Sequence, residues 1–277
     1  MRLHCHQIHR SLLKGIITGL LVTPAALFAG PAYKAPVIED PVCAVPFTGS
    51  VAAGYESAYM FRGIDFGGDA PWAGIDLSWA ITDAVTFDFG TWYINPTDGN
   101  GFTGANPVDE LDIYASTSFP LGPFDASFGV VALTFPDGGG PLLLNAQDGG
   151  TADYELFLSL GKTIAGIDIA YSAIHSLYLG GVDGNTWFHD VNFGKGFDLT
   201  DCVSLGFGAG LGFSDGYNGF SGYNHSYVSS GLTFALTDAA ALDLYIAGSF
   251  ASDDLEAAAP FGGVDNLHGG ASLSVSF

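Results

Sequence analysis

The chain alternates apolar and non-apolar residues at period two through most of its length after about residue 50. In the first such segment Val51, Ala53 and Tyr55 share one face, while Ala52 and Glu56 lie on the other. Successive side chains of a β-strand point to opposite faces, so this period predicts strands that are apolar on one side only. Twelve such segments follow one another, starting near residues 51, 74, 85, 111, 124, 152, 167, 186, 203, 225, 241 and 265. The chain is therefore predicted to be all-β.

The connections between these segments alternate in length. Three short ones carry the same pair, Thr82-Asp83, Thr200-Asp201 and Thr237-Asp238, and the intervening ones are longer and rich in Gly, Asp and Asn. Short turns at one end and long loops at the other are typical of a transmembrane up-and-down antiparallel β-barrel. Closure also pairs every backbone N–H and C=O, as hydrocarbon requires. An even strand number puts both chain ends on the periplasmic, short-turn side.

The N-terminus has the parts of an export signal. Arg2, Arg10 and Lys14 form a basic start, residues 15–28 are mostly apolar, and Ala29 is a small residue suited to cleavage. The alternative is a membrane anchor, but a span needs about 20 apolar residues. Residues 1–29 are predicted as a signal peptide, residues 30–46, with four prolines, as a periplasmic tether, and residues 47–277 as the barrel.

Composition excludes several classes of protein. The chain has 29 acidic residues against 7 Lys and Arg, a net charge of −22, so it repels phosphate and is not expected to bind nucleic acid. Hydrophobic residues make up 48% of the chain, which is too many for a disordered protein. No run of about 20 apolar residues follows the N-terminus, which argues against a helical membrane protein.

Aromatic residues gather at the ends of the predicted strands, as they do where a barrel meets the two membrane interfaces. The outer girdle is predicted from Tyr59, Phe61, Trp72, Tyr93, Tyr154, Trp187, Phe213 and Phe250, and the inner one from Trp79, Phe119, Phe124, Phe197 and Phe277. A secreted soluble sandwich would alternate as well, but it seldom needs so many aromatic strand ends. We therefore expect the bacterial outer membrane and its lipids to surround the barrel.

Two stretches resemble known outer-membrane proteins. The last strand closes on Phe277 and looks like the C-terminal signature of bacterial outer-membrane barrels, which implies recognition by the barrel-assembly machinery. The segment Gly54–Gly63 (GYESAYMFRG) resembles the first-strand motif, aromatic-x-Phe-Arg-Gly, of the TorF-type putative porin family. That resemblance implies a bacterial outer-membrane barrel presumed to act as a porin.

The predicted inward face is strongly acidic. Its only base is Arg62, and its ten carboxylates are Glu56, Asp76, Asp88, Asp112, Asp125, Asp153, Glu155, Asp168, Asp190 and Asp243. A merely polar lumen would accept Lys and Arg equally well, whereas carboxylates lining a pore favour cations. The sequence therefore predicts a porin-like channel for passive diffusion of small hydrophilic solutes that prefers cations. Arg62 has two open interpretations: it sets a transverse field opposite the acids, or it pairs with one carboxylate.

The ninth strand has glycine at its inward positions Gly206, Gly208, Gly210 and Gly212. Bulky residues such as Tyr114 or Trp92 could fill this strip, or it could widen the pore, and both interpretations stay open.

Enzyme signals are weak. Residues 212–216 match a nucleophile-elbow expression, but they leave a strand for a loop and not for a helix. His175, His189, His225 and His268 lie on separate strands or strand edges without a zinc spacing. We therefore predict no enzyme, no cofactor and no metal site. The alternative functions are a non-conducting structural or adhesin-type barrel and, less favoured, an outer-membrane enzyme.

Two cysteines lie on the predicted periplasmic side, Cys43 in the tether and Cys202 just after a short turn. About seven residues separate Cys43 from the first strand and reach ~23 Å when extended, which is comparable with a barrel of this size. A Cys43–Cys202 disulfide and two unrelated thiols both remain open, because connectivity cannot be read from sequence.

Overall fold

The computed structural model describes residues 47–98, 109–136, 152–177, 186–258 and 263–277. Within these ranges the chain forms twelve strands and one short helix, α1 (Asp253–Ala257). The strands are β1 (Phe47–Phe61), β2 (Ile64–Ala80), β3 (Thr86–Ile94), β4 (Glu110–Leu121), β5 (Phe124–Thr134), β6 (Ala152–Ile164), β7 (Ile167–Ser176), β8 (Thr186–Thr200), β9 (Val203–Asp215), β10 (Ser221–Ala235), β11 (Ala240–Ala251) and β12 (Asn266–Ser276). The predicted signal peptide (1–29) and tether (30–46) lie outside the described residues.

The strands form a closed antiparallel barrel. Each strand pairs with its neighbours in sequence, and β1 pairs with β12 from Ser50↔Ser276 to Glu56↔Gly270. The predicted all-β, up-and-down barrel of about twelve strands is confirmed. We call the end that carries the short turns and the C-terminus the turn end, and the opposite end the loop end. No helix in the described ranges is long and apolar enough to cross a bilayer.

The outer surface of the barrel is apolar and its inside is largely polar. Exposed apolar side chains alternate along the strands, for example Phe87 and Phe89 on β3, or Leu244 and Ile246 on β11. The inward-facing positions that alternate with such residues along the strands carry buried polar side chains, for example Ser159 on β6 and Asp190 on β8. A soluble protein folds the other way, with its apolar face inside.

The connection between β1 and β2 differs from the long loop that the sequence predicts. It is a two-residue turn, Arg62-Gly63, with φ of 51° and 82°. Positive φ at both central residues is the hairpin geometry that matches strand twist, and glycine adopts it without strain. A side chain at Gly63 would also lie 2.8 Å from His225 and Leu255, so the turn packs closely against the neighbouring elements.

The predicted outer girdle is wrong for three aromatic residues, which lie inside the barrel. The β1–β2 register shifts between Ala58 and Met60, which is a β-bulge that reverses the faces of the residues beyond it. Tyr59 is therefore fully buried, and Phe61 packs against the same buried cluster. Trp72 lies across from Gly54 on the interior face and packs beside the ring of Trp92.

Candidate functional site in the barrel interior

The ten predicted inward carboxylates fall into two groups along the barrel axis. The upper group lies in the loop-end part of its strands and contains Glu56, Asp112, Asp153, Glu155 and Asp190. The lower group lies near the turn end and contains Asp76, Asp88, Asp125, Asp168 and Asp243. The barrel therefore separates the ten acids into two levels and does not bring them to one constriction.

Four of the five upper acids are withdrawn from solvent, and Asp153 is half-buried. Glu56, Asp112, Glu155 and Asp190 are all buried. Glu110 is buried in the same region, and the sequence analysis missed it. Strand alternation would have found it, because Glu110 precedes Asp112 by two residues and so shares its face. With Glu110 included, six of these eleven acidic side chains thus lie toward the loop end.

The lower group is more open, and its partners are neutral. Asp88 is the buried member and accepts hydrogen bonds from the hydroxyls of Ser78 and Ser118 at 2.7 and 3.1 Å. Other hydroxyls donate to Asp76 (from Ser50 and Tyr114), Asp168 (from Thr163) and Asp243 (from Thr233). Asp125 and Asp168 are exposed. Hydroxyl donors stabilise a carboxylate without cancelling its charge, so this part of the wall stays negative.

The described Lys and Arg side chains differ in the face of the barrel that they occupy. Arg62 points into the barrel, and it is the one Lys or Arg in the described ranges that does so. Lys162 and Lys195 occupy outward positions, with their ammonium groups 5.6 Å from the ring centre of Phe124 and 5.3 Å from that of Phe197. Both therefore belong to the outer surface, and they leave the charge of the interior unchanged.

Arg62 binds a single carboxylate on the far side of the barrel. Its two terminal nitrogens donate to the two oxygens of Glu155 at 2.6 and 2.7 Å. The hydroxyl of Tyr217, in the β9–β10 connection, donates to the same carboxylate at 2.6 Å. Of the two interpretations of Arg62, the structure shows the paired one. The side chains of Arg62 and Glu155 are only 2% and 1% exposed, so water does not screen the pair.

Three aromatic rings surround the Arg62 guanidinium. Its central carbon lies 4.5 Å from the ring centre of Phe61, 4.9 Å from that of Phe188 and 4.5 Å from that of Tyr217. Arginine stacks on aromatic faces and pairs with carboxylates through a planar fork. We call Glu155, Phe188 and Tyr217 the guanidinium cage. The sequence analysis missed Phe188 and Tyr217, and no local pattern marks either of them.

Burial and neighbouring charges together fix the protonation states of Arg62, in the β1–β2 turn, and of Tyr217, in the β9–β10 connection. Burial alone would lower the pKa of Arg62, but the Glu155 carboxylate beside it raises that pKa above its ordinary value. Burial raises the pKa of Tyr217 well above its ordinary value, although the charge of Arg62 opposes this. Arg62 therefore remains a cation and Tyr217 remains a hydroxyl donor.

An apolar cluster lies inside the loop end of the barrel, beside the cage. We call it the interior apolar cluster, and its buried members are Tyr59, Ile64, Phe66, Ala70, Trp92, Ile94 and Leu255. Helix α1 supplies Leu255, and Ser252 caps its start by accepting a hydrogen bond from the Leu255 amide. The cluster fixes the β1–β2 hairpin against β3 and α1, and so holds Arg62 at its tip in place.

The glycine strip of β9 is covered and does not widen the interior. A side chain at Gly210 would overlap the ring of Tyr227, and one at Gly212 would lie 2.7 Å from His225. The covering residues come from β10 and not from the predicted candidates. Tyr114 lies against Gly90 instead, and Trp92 belongs to the interior apolar cluster.

The predicted enzyme signals do not converge. His175 and His189 stack on either side of Trp187 on the outward face, whereas His225 and His268 are buried in the interior. In the part of the chain that the structure describes, no three His, Cys, Asp or Glu side chains are placed to hold a metal ion.

Cys202 lies in the β8–β9 turn and is disulfide-bonded. The cysteine to which it is bonded lies outside the described residues, and Cys43 also lies there. The pairing of Cys43 with Cys202 stays a prediction.

Comparison with known proteins gives one family and a common fold. A family model described as a bacterial protein of unknown function (Gcw_chp) matches residues 41–263. Comparison with curated proteins finds no match. An outer membrane channel from Pseudomonas putida F1 is similar in structure, with a TM-score of 0.51 and 12% identity over 86% of this chain and 100% of that one. This likeness concerns the fold alone.

Two further solved structures are more distant. The NanC porin has a TM-score of 0.47 and 9% identity over 82% of this chain and 98% of that one. LpxR from Salmonella typhimurium has a TM-score of 0.43 and 11% identity over 82% of this chain and 99% of that one. The resemblance to the TorF-type porin family is not confirmed by these comparisons and stays a prediction.

Proposed function

We propose that this chain, which belongs to the bacterial family of unknown function Gcw_chp, is an outer-membrane channel through which small hydrophilic solutes diffuse passively, with cations preferred. The observation that carries the proposal is the reversed distribution of polarity in a closed barrel. Apolar side chains cover the outside, where lipid would solvate them, and carboxylates line the inside. We propose no enzymatic activity for this barrel.

The cation preference rests on charge. Four of the five lower carboxylates have hydroxyl partners, and Arg62, the interior base within the described ranges, is already paired with Glu155. Negative groups in a low-dielectric wall concentrate cations and exclude anions. Screening shortens this effect, because the Debye length falls from about 10 Å at 0.1 M salt to about 3 Å at 1 M.

Further proposals concern the surroundings of the barrel. Phe277 exchanges backbone hydrogen bonds of 2.9 Å with Gly49, and its ring is exposed at the turn end. An exposed C-terminal aromatic residue is accessible to the barrel-assembly machinery, and this supports the proposed bacterial outer-membrane location. The lipids of that membrane would contact the exposed apolar strand faces.

Reversal potentials in planar bilayers test the channel. We expect cation selectivity in dilute KCl that fades near about 1 M KCl. Replacing Asp76, Asp88 and Asp243 together by Asn should move the reversal potential toward zero.

A matched control removes the same charge outside the lumen. Asp83, Asp201 and Asp238 lie in the short turns, and their replacement by Asn should leave selectivity unchanged. Anion selectivity, or equal effects of the two triple variants, would refute the proposed role of the lower carboxylates.

A non-conducting structural barrel is the second candidate. The interior apolar cluster and the Arg62–Glu155 pair favour it, because both occupy the barrel interior at the loop end. Correctly folded wild-type protein that never conducts in bilayers would support this candidate over the channel.

A further inference from the structure

The guanidinium cage is built by parts of the barrel other than the one that fills it. Glu155 belongs to β6, Phe188 to β8, and Tyr217 to the β9–β10 connection. Arg62 enters from the β1–β2 turn, on a different part of the wall. The cage would therefore keep its carboxylate and both of its aromatic rings if the Arg62 side chain left it.

The contacts within the cage are those that select a guanidinium group. The carboxylate of Glu155 accepts two parallel hydrogen bonds, which matches the planar fork of a guanidinium and not a compact ammonium. The rings of Phe188 and Tyr217 lie within 4.9 and 4.5 Å of the guanidinium carbon. The Tyr217 hydroxyl holds Glu155 at 2.6 Å, so the acceptor is already oriented.

The cage region contains more acidic side chains than the one that Arg62 pairs with. The charge of Arg62 also acts on Asp153 and Asp190. Asp190 is 1% exposed, and one of its oxygens has no hydrogen-bond partner among the described residues. It lies two residues from Phe188 on the same inward face of β8. A buried acid of this kind favours a solute with a second positive group.

Displacing the Arg62 side chain from the cage would break no pairing between β1 and β12, and the interior apolar cluster would still hold the hairpin itself in place. The β1–β12 ladder ends at Glu56↔Gly270, so the last residues of β1 pair with β2 alone. Arg62 also has a φ of 51°, a left-handed backbone conformation that is unfavourable for a residue with a side chain. The contacts in the cage compensate for this backbone strain.

We propose that the guanidinium cage is a binding site for the guanidinium group of small organic cations, and that Arg62 is its internal occupant. This inference deepens the proposed channel by naming a class of solute. It rests on that function for the path of the solute across the membrane, but not for binding.

Titration calorimetry on the detergent-solubilised full chain, with agmatine as probe, tests the proposal. Agmatine carries a guanidinium and an amine. The wild-type protein must release Arg62 before it binds, whereas Arg62→Ala leaves the cage empty. We expect the Arg62→Ala variant to bind agmatine at least about tenfold more tightly than the wild type. Adding Glu155→Gln to that variant should weaken binding at least about tenfold.

Controls separate the cage from general attraction of cations. Putrescine has two amines but no planar fork, and it should bind Arg62→Ala more weakly than agmatine does. Lys195→Ala, which removes an outward base, should leave agmatine binding at the wild-type level. If Arg62→Ala does not fold, Arg62→Lys replaces it, because lysine keeps the charge but cannot form the fork, and it too should bind agmatine more tightly than the wild type.

The outcomes are distinguishable from those of the channel experiment. No gain in affinity in either Arg62 variant, or no loss on adding Glu155→Gln, would overturn the proposed cage function. Agmatine binding by a barrel that does not conduct would leave the cage standing and refute the channel. Conductance without agmatine binding would leave the proposed channel standing and refute the proposed cage function.

Discussion

The ion pair between Arg62 and Glu155 should contribute strongly to the stability of the barrel only while both partners are present. Replacing Glu155 by Gln keeps an acceptor for the Tyr217 hydroxyl but leaves the Arg62 charge buried without a partner. Replacing Arg62 by Met retains apolar contact with the rings and leaves Glu155 with the Tyr217 hydrogen bond alone. Each change therefore isolates one buried charge.

The magnitude follows from the number of contacts. Two charge-assisted hydrogen bonds of about 1.5–3 kcal/mol each give about 3–6 kcal/mol, which agrees with the 3–5 kcal/mol typical of a broken buried pair. We expect each single variant to lose about 3–5 kcal/mol in free energy of unfolding. The double variant Arg62→Met/Glu155→Gln should lose less than the sum by at least about 2 kcal/mol, since it leaves no unpaired charge.

Denaturant unfolding in lipid vesicles, followed by tryptophan fluorescence, measures these free energies. Lys195→Met and Asp168→Asn are the matched controls, because each removes a charge that lies outside this pair, and both should change stability by less than about 0.5 kcal/mol. Additive effects in the double variant, or single variants that lose less than about 1 kcal/mol, would refute the inference that the desolvated pair stabilises the barrel.

Three further predictions address other parts of the barrel. Gly210→Ala should lower the free energy of unfolding by about 1–3 kcal/mol because the new methyl group overlaps Tyr227, whereas Gly196→Ala meets nothing within 4 Å and should have little effect; equal effects would contradict the close approach. Thiol labelling of denatured, unreduced mature protein should find no free thiol if Cys43 and Cys202 are bonded, and two free thiols would exclude that bond. Unboiled protein should migrate differently from boiled protein in SDS gels, while recovery in soluble form without detergent would exclude the proposed membrane barrel.

The period-two pattern predicted the number of strands because the pleat of a strand is a local property. Segments such as 124–135 and 203–213 carry their alternation within a dozen residues, and the structure has β5 and β9 there. The same pattern failed beyond Ala58, where one bulge residue turns Tyr59 inward. A bulge depends on the register with a partner strand, and the sequence of one strand does not contain that information.

The β1–β2 connection shows a second limit of local inference. Glycine after Arg62 permits a tight turn, but the sequence between Phe61 and Trp72 also fits a loop rich in Gly and Asp. The turn forms because Ile64 and Phe66 pack into the interior apolar cluster, to which α1 contributes Leu255. That cluster joins residues far apart in the chain, so no local window predicts it.

The sequence by itself determined the class of fold, the faces of most strands and the acidic character of the interior, because each depends on alternation and composition. Only the tertiary structure decided what Arg62 binds. Glu155 is 93 residues away in the chain, and the two meet because closure of the barrel brings β6 opposite the β1–β2 turn. The same closure places Phe188 and Tyr217 around the guanidinium. Long-range contacts of this kind depend on the register and curvature of all the strands between them, which local patterns do not specify.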